Sequence, residues 1–480
     1  MTKRIFISAD HGMAIIAGKE NQMKIKFSSI ILLLTFLLTA CGAGTPALVT
    51  HTPVTTQPPT DIPTQTAIPF PTIPPSPTAV PPYPTASVVK SNAVAFISYD
   101  EHYNTSLWVA NVDGSGERRL VESLNDKKWD TYGYAALRWS PNGKWISYLS
   151  SEELWIVSSD GLINKKVLSS DKDKGTVYMY QWSPDSSQIA YVQSGQSVGL
   201  VSDVPIVVGL LDLETGKTSE LSSYKSPTPV TFSWAHNGRY LLLSKMDKNG
   251  FLIFDVNTRK FIKEIISTAN CSLWHHGVLW SPNSNWFYDI PSQNGRFATT
   301  QICVAGLDGS HRQIDINGTA TSSPVWDKTG NFLYYVAGNT NFSITPIPDY
   351  DIRLMRYNVR TQKQERLLSL GKEPQRWSIS MSPDNEILEL HTSDSGNPYS
   401  FAFLNIKSLS VTKFNLELKS PPDVFFRIYP AWTPDSKNII LYFYRRFYSV
   451  NIQTGEATTI SGIHSVNERQ WAVSPIATTP

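Results

Sequence analysis

Leu137-Arg-Trp-Ser-Pro-Asn-Gly-Lys-Trp-Ile-Ser-Tyr148 is the stretch whose reading decides the fold. It reads as strand, tight turn, strand. Pro sets the backbone for the second position of a type I turn, and Ser before it and Asn after it suit that turn. Gly143 gives a flexible exit. The Trp before the turn is large and apolar, and Ile146 and Tyr148 after it alternate with the period of a strand. The phrase returns as Gln181-Trp-Ser-Pro-Asp-Ser-Ser-Gln-Ile-Ala-Tyr191. One hairpin cannot bury so much apolar surface, but stacked copies can, so the repeat predicts a solenoid or a propeller.

Five further copies follow: Phe232-Ser-Trp-Ala-His-Asn-Gly238, Leu279-Trp-Ser-Pro-Asn-Ser284, Pro324-Val-Trp-Asp-Lys-Thr-Gly330, Ile379-Ser-Met-Ser-Pro-Asp-Asn385 and Ala431-Trp-Thr-Pro-Asp-Ser436. In the sixth copy Met381 stands where Trp is expected. The spacing, roughly 43 to 55 residues, suits four-stranded propeller blades. Each copy is followed by a third apolar run, such as Leu154-Trp-Ile-Val157 or Leu252-Ile-Phe-Asp-Val256. Turns such as Asp160-Gly161, Thr215-Gly216 and Asp308-Gly309 come next, and Asp-Gly tolerates the positive φ of a hairpin. A short fourth strand completes four antiparallel strands, which is one blade.

The pattern resembles the TolB-like β-propeller repeat, which is also similar to the propeller domains of prolyl-oligopeptidase-type proteins. The resemblance spans roughly residues 92–475 and implies an all-β propeller; it implies little about function, because one fold hosts many activities. The expectation is that no hydrolase domain follows residue 475, so the activity of the peptidases is not carried over. The first unit, Ala93-Val-Ala-Phe-Ile97, Leu107 to Val112 and Arg118-Arg-Leu120, lacks a Trp-Ser-Pro strand. Gln470-Trp-Ala-Val-Ser-Pro475 supplies the missing piece. Strands from the two termini then close the ring and remove exposed edges. Seven internal copies and this composite give eight blades, or seven if the copy carrying Met381 is not a blade of its own.

Before the repeats, Lys24 and Lys26 precede an apolar run from Phe27 to Leu38, closed by Leu38-Thr39-Ala40-Cys41. A charged region, a short apolar region and small residues mark a signal peptide. Cys directly after them resembles a bacterial lipobox. The run is about 12 residues where a membrane span needs about 20. The expected order is residues 1–40 as signal peptide, with translation starting at Met23, then cleavage and diacylation at Cys41. A Pro/Thr-rich tether follows over 41–90, the propeller over 91–476 and a tail over 477–480. The tether lacks the apolar content for a core and would extend on the order of 100 Å at ~3.1 Å per residue. Membrane lipid is thus an expected partner, at the extracytoplasmic face of a bacterial cell envelope. The net charge of +2, without a basic stripe, points to no nucleic-acid partner.

No catalytic residue, metal ligand or cofactor is assigned. Gly195-Gln-Ser-Val-Gly199 has the spacing of a nucleophile elbow but lies between two strands with no helix after it. His275-His276 on an extended segment would point in different directions. Scattered turn Asp residues are turn formers first. Cys271 and Cys303 form a disulfide or remain two buried thiols. The long connections are Val121–Ala135, Gln193–Pro205, Ile266–Gly277, Ile290–Thr300, Ala337–Tyr350, His391–Tyr399 and Lys419–Tyr429. In an up-and-down blade all of them emerge on one face. They carry Trp129, Tyr132, Tyr134, Trp274, Arg296, Tyr350, Phe425, Phe426, Arg427 and Tyr429, and aromatics with Arg are common anchors. The expected function is an anchored scaffold that binds a protein, peptide or glycan. The rivals are a polysaccharide hydrolase or lyase with carboxylates in the central channel, and a structural or sensory part of an envelope complex.

Overall fold

The computed structural model describes residues 92–475, apart from 101, 103, 125–136, 196–203, 227–230, 246–249, 269–277, 290–298, 321, 339–350, 372–376, 393–398, 417–429, 444, 462–465 and 467–470. The signal segment, Cys41 and the tether lie outside these residues.

Every described strand pairs antiparallel, and the strands group into eight blades of four. The second blade is Arg138–Trp139, Trp145–Ser150, Glu153–Ser158 and Asn164–Leu168. The third is Thr176–Trp182, Gln188–Ser194, Val204–Asp212 and Thr218–Ser226; the fourth is Phe232–Trp234, Tyr240–Lys245, Gly250–Asp255 and Lys260–Ile266. The fifth is Leu279–Trp280, Trp286–Asp289, Thr299–Gly306 and His311–Ala320; the sixth is Val325–Trp326, Phe332–Gly338, Ile352–Asn358 and Lys363–Gly371. The seventh is Trp377–Met381, Ile387–Thr392, Tyr399–Asn405 and Val411–Leu416. The eighth is Ala431–Trp432, Asn438–Phe443, Arg446–Asn451 and Ala457–Thr459. The copy with Met381 is therefore a full blade, and the count is eight.

The first blade is composite. Trp471–Val473 from the C-terminal end is its inner strand and pairs with Ala93–Tyr99 through Val94 with Val473, Ala95 with Ala472 and Phe96 with Trp471. Thr105–Asn111 and Arg118–Val121 complete it. The ring thus closes with strands from both ends of the repeat region. One feature has no sequence signal: Thr319 and Ala320 pair with Gly338 and Ala337, which joins the fifth and sixth blades into one sheet.

Both faces of each second strand are buried, because each blade is packed between two others. In the fourth blade Leu241 and Leu243 pack toward the third blade, and Leu242 packs with Trp280 and Phe287 of the fifth. The outer strands carry a repeated bulge, with one extra residue at Leu120, Val167, Leu221, Ile262 and Leu367. Such bulges spoil an edge for further pairing. Four of the extra side chains pack onto a core cluster, whereas Ile262 is 49% exposed.

Candidate functional site

The two edges of the ring differ in kind. On one edge lie the turns between inner and second strands and between third and outer strands. Ser140 illustrates the first type. Its N–H donates to Trp145 O at 2.8 Å, its carbonyl accepts from Gly143 N–H at 2.8 Å, and its Oγ accepts from Trp145 N–H at 2.9 Å. The residue that closes this turn is left-handed in all seven copies: Gly143, Ser186, Gly238, Ser284, Gly330, Asn385 and Ser436 have φ between 59° and 69°. The glycine predicted as a flexible exit thus marks a fixed conformation that Ser and Asn share. Where the residue is not Gly, its side chain reaches the previous blade. Ser186 Oγ accepts from Asn142 N–H, Ser284 Oγ from Asn237 N–H, Asn385 Oδ1 from Lys328 N–H and Ser436 Oγ from Asp384 N–H, at 2.6–3.0 Å. Third-to-outer turns close on the same edge, as in Gly161 N–H to Ser158 O at 2.8 Å. This edge is tied off by its own hydrogen bonds.

The opposite edge carries the connections between second and third strands and those from one blade to the next. Half are tight, as between Ser150 and Glu153, and the other half run seven residues or more, whereas no turn on the first edge does. Trp129, Tyr132, Tyr134, Trp274, Arg296, Tyr350, Phe425, Phe426, Arg427 and Tyr429 all belong to these connections and lie outside the described residues. Gly195 is described; the rest of the Gly195–Gly199 string, His275 and His276 are not.

Nearest the axis, inner strands contact inner strands of neighbouring blades. Apart from Trp234, whose buried Nε1 has no partner among the described residues, the motif Trp residues bind backward around the ring. Trp139 Nε1 donates to Ala472 O at 3.1 Å, Trp280 Nε1 to Ser233 O at 3.1 Å and Trp326 Nε1 to Leu279 O at 3.2 Å. Trp182 Nε1 instead donates to Ser147 Oγ at 2.8 Å, and Ser147 passes its proton to Arg138 O at 3.1 Å. Tyr180 beside it donates to Ser147 O at 3.0 Å, and burial pushes its phenol up to about 12. Among the described residues the inner strands carry no carboxylate, and Arg138 is their one charged side chain.

The seventh blade departs from this pattern, and sequence reasoning missed it. Trp432 Nε1 donates to Ser380 Oγ at 2.8 Å, Ser380 Oγ donates to Glu389 Oε2 at 2.8 Å, and Glu389 Oε1 lies 2.7 Å from His391 Nδ1. An indole N–H only donates, which leaves the Ser380 proton for the carboxyl. Glu389 is 0% and His391 5% exposed, and the imidazole packs beside Phe401 at 5.8 Å. His391 is one residue short of the strand end from which the 393–398 connection leaves. The Glu-Leu-His alternation reads in sequence as a solvent-facing strand. The signal that could have found the pair is the repeat itself, since no other copy puts an acid there.

Cys303 is disulfide-bonded and buried in the third strand of the fifth blade; Cys271 and the bond partner lie outside the described residues. Among the described residues no three His, Cys, Asp or Glu side chains come together as a metal site.

No protein-family model and no curated protein matches the chain. Solved structures do. A eukaryotic initiation factor is 11% identical over 81% of this chain and 99% of its own, with a TM-score of 0.49. TolB from Acinetobacter baumannii is 19% identical over 68% of this chain and 80% of its own, with a TM-score of 0.31. A TolB protein from Agrobacterium tumefaciens is 17% identical over 58% and 89%, with a TM-score of 0.32. At these identities the likeness extends to an antiparallel propeller of this general type and to nothing more specific.

Proposed function

We propose that this chain is a lipid-anchored scaffold outside the cytoplasm whose propeller recognises another protein through the edge of long connections. The observation that carries this reading is the asymmetry of the ring. One edge is closed by short turns bonded to each other across blades; from the other leave the long connections, whose sequences carry aromatic and Arg residues. Rigid strands that present variable loops are the usual platform for recognition. The acylated Cys41 would hold the ring at a bacterial envelope, with residues 41–90 as spacer, and Cys271 would be the partner of Cys303.

The test uses the full-length acylated protein in detergent, immobilised and exposed to envelope proteins of the native cell, with retained proteins identified by mass spectrometry. A variant with Trp129, Phe425 and Phe426 replaced by Ala is run beside it. A protein retained by the first and lost from the second supports recognition at the long-connection edge. Equal retention by both would sink the assignment of the edge, and turnover on a polysaccharide panel would replace the reading with the enzymatic one. The acyl group is read separately from the mass of the peptide that begins at Cys41.

A further inference from the structure

The blade repeat supplies its own comparison for Glu389. The second-strand residue opposite the inner-strand position before the motif Trp is Ala95, Ser147, Ala190, Leu242, Tyr288, Tyr334, Glu389 and Ile440 around the ring. Seven blades fill this buried position with an uncharged side chain. The position two residues on is Ile97, Leu149, Val192, Ser244, Val336, His391 and Tyr442 in the blades described there. The fold therefore requires neither an acid nor an imidazole.

Nor does the Trp432 indole require them. The equivalent Trp182 is satisfied by one hydroxyl, Ser147, which discharges onto a backbone carbonyl. Ser380 alone could serve Trp432 in the same way. The cluster facing the pair from the eighth blade is Ile439, Leu441, Val450 and Trp432, with Tyr448 as its titratable member. A fully buried acid among such neighbours is costly, and among the described residues Ser380 and His391 are the side chains that bond to it. A rule kept by seven blades and broken at a cost in one, the seventh around the ring, points to a function.

We propose that Glu389 and His391 form a ligand-contacting site at the seam of the seventh and eighth blades, on the edge of long connections. Glu389 holds Nδ1, so the tautomer is set and Nε2 is the atom left for a ligand. No described residue bonds to Nε2. The chemistry taken is a hydrogen-bond donor, an amide or hydroxyl, of a polypeptide partner. This rests on the recognition reading above.

Two experiments judge it. The first is a thermal cycle on the full chain. His391→Val leaves the buried Glu389 with Ser380 as its one described partner and lowers the melting temperature by several degrees. Glu389→Leu with His391→Val, both side chains used by other blades, restores it to the wild-type value or above. A double variant that melts as low as the single one makes the pair a structural element and overturns the proposal. The second places a photoreactive benzophenone side chain at Thr392, beside His391, and at Leu409 on the opposite edge as control. An adduct at Thr392 that protease removes, reduced by the double variant, is the expected result. An adduct that only glycosidases remove assigns a glycan and overturns the polypeptide ligand. A partner retained in the binding assay that never reacts at Thr392 overturns the site but leaves recognition standing. No partner in either assay defeats the recognition reading and this site with it.

Discussion

Ser186 reaches back one blade: its Oγ accepts a 3.0 Å hydrogen bond from the backbone N–H of Asn142, 44 positions earlier. Ser186 is also held at φ 64°, where a side chain costs about 1 kcal/mol or more relative to Gly. The hydrogen bond contributes about 1 kcal/mol in return. Ser186→Ala keeps the strain and loses the bond, so it should destabilise by about 1–2 kcal/mol. Ser186→Gly loses both and should stay within about 0.5 kcal/mol of wild type. Urea unfolding of the two variants checks the order. If Ala is the milder change, the inter-blade bond contributes nothing.

Asp255 predicts the acid behaviour of the fourth blade. Burial pushes its carboxyl up, but Arg239, at 2.8 Å, and the N–H groups of Thr258 and Asn257 pull it further down, so the net is below the ordinary value. A carboxyl lowered by folding contributes stability that is fully present above its unfolded value of about 3.9 and is lost as pH falls through the lower folded value. Melting temperature should therefore fall more steeply below about pH 4 in wild type than in Asp255→Asn. At pH 7 the variant should be less stable by roughly 1–3 kcal/mol, since charged hydrogen bonds are lost. Parallel melting profiles from pH 6 to pH 2 would contradict this assignment.

Ser147 tests the indole contacts that run around the ring. Ser147 is 0% and Trp182 5% exposed, so Ser147→Ala strands a buried donor at a cost of roughly 1–3 kcal/mol. Trp182→Phe combined with Ser147→Ala removes donor and acceptor together. In a double-mutant cycle the second change should cost less in the presence of the first, by about 1 kcal/mol. Strict additivity would show that the bond adds nothing beyond the packing of the Trp.

What could be read from the sequence, and what could not, follows from the range of each interaction. Trp-Ser-Pro-Asp turns are local, so blade number, strand order and the closing role of Trp471 were all legible. Ser186, Ser284, Asn385 and Ser436 were legible as turn residues only, because their second role depends on a neighbour one blade away. The pairing of Thr319 and Ala320 with Gly338 and Ala337 has no local signature. Glu389 and His391 were hidden by a rule that usually holds. Alternating polar residues on a strand point to solvent in a two-layer sheet, but a second strand in a propeller has no solvent face. The aromatic connections were legible as long loops on a common edge, which is topology and not yet a site.

Ring closure is the most exposed expectation. The inner strand of the first blade is three residues long, yet it closes two interfaces. Trp471 packs edge-on against Phe447 of the eighth blade at 5.4 Å, and Ala472 O accepts the indole N–H of Trp139 from the second blade at 3.1 Å. Truncation after Ser465 removes that strand, exposes the edge of Ala93–Tyr99 and uncovers Val94 and Phe96, both 0% exposed. The melting temperature should fall sharply, and the exposed edge should promote aggregation. Trp471→Ala keeps the backbone pairing and removes only the ring, at a cost of about 3–5 kcal/mol if the site behaves as a core; Trp471 is partly buried, so the lower end is expected. A truncated chain that melts like wild type would mean that the first blade is stable with three strands, and that the C-terminal strand decorates the ring without closing it.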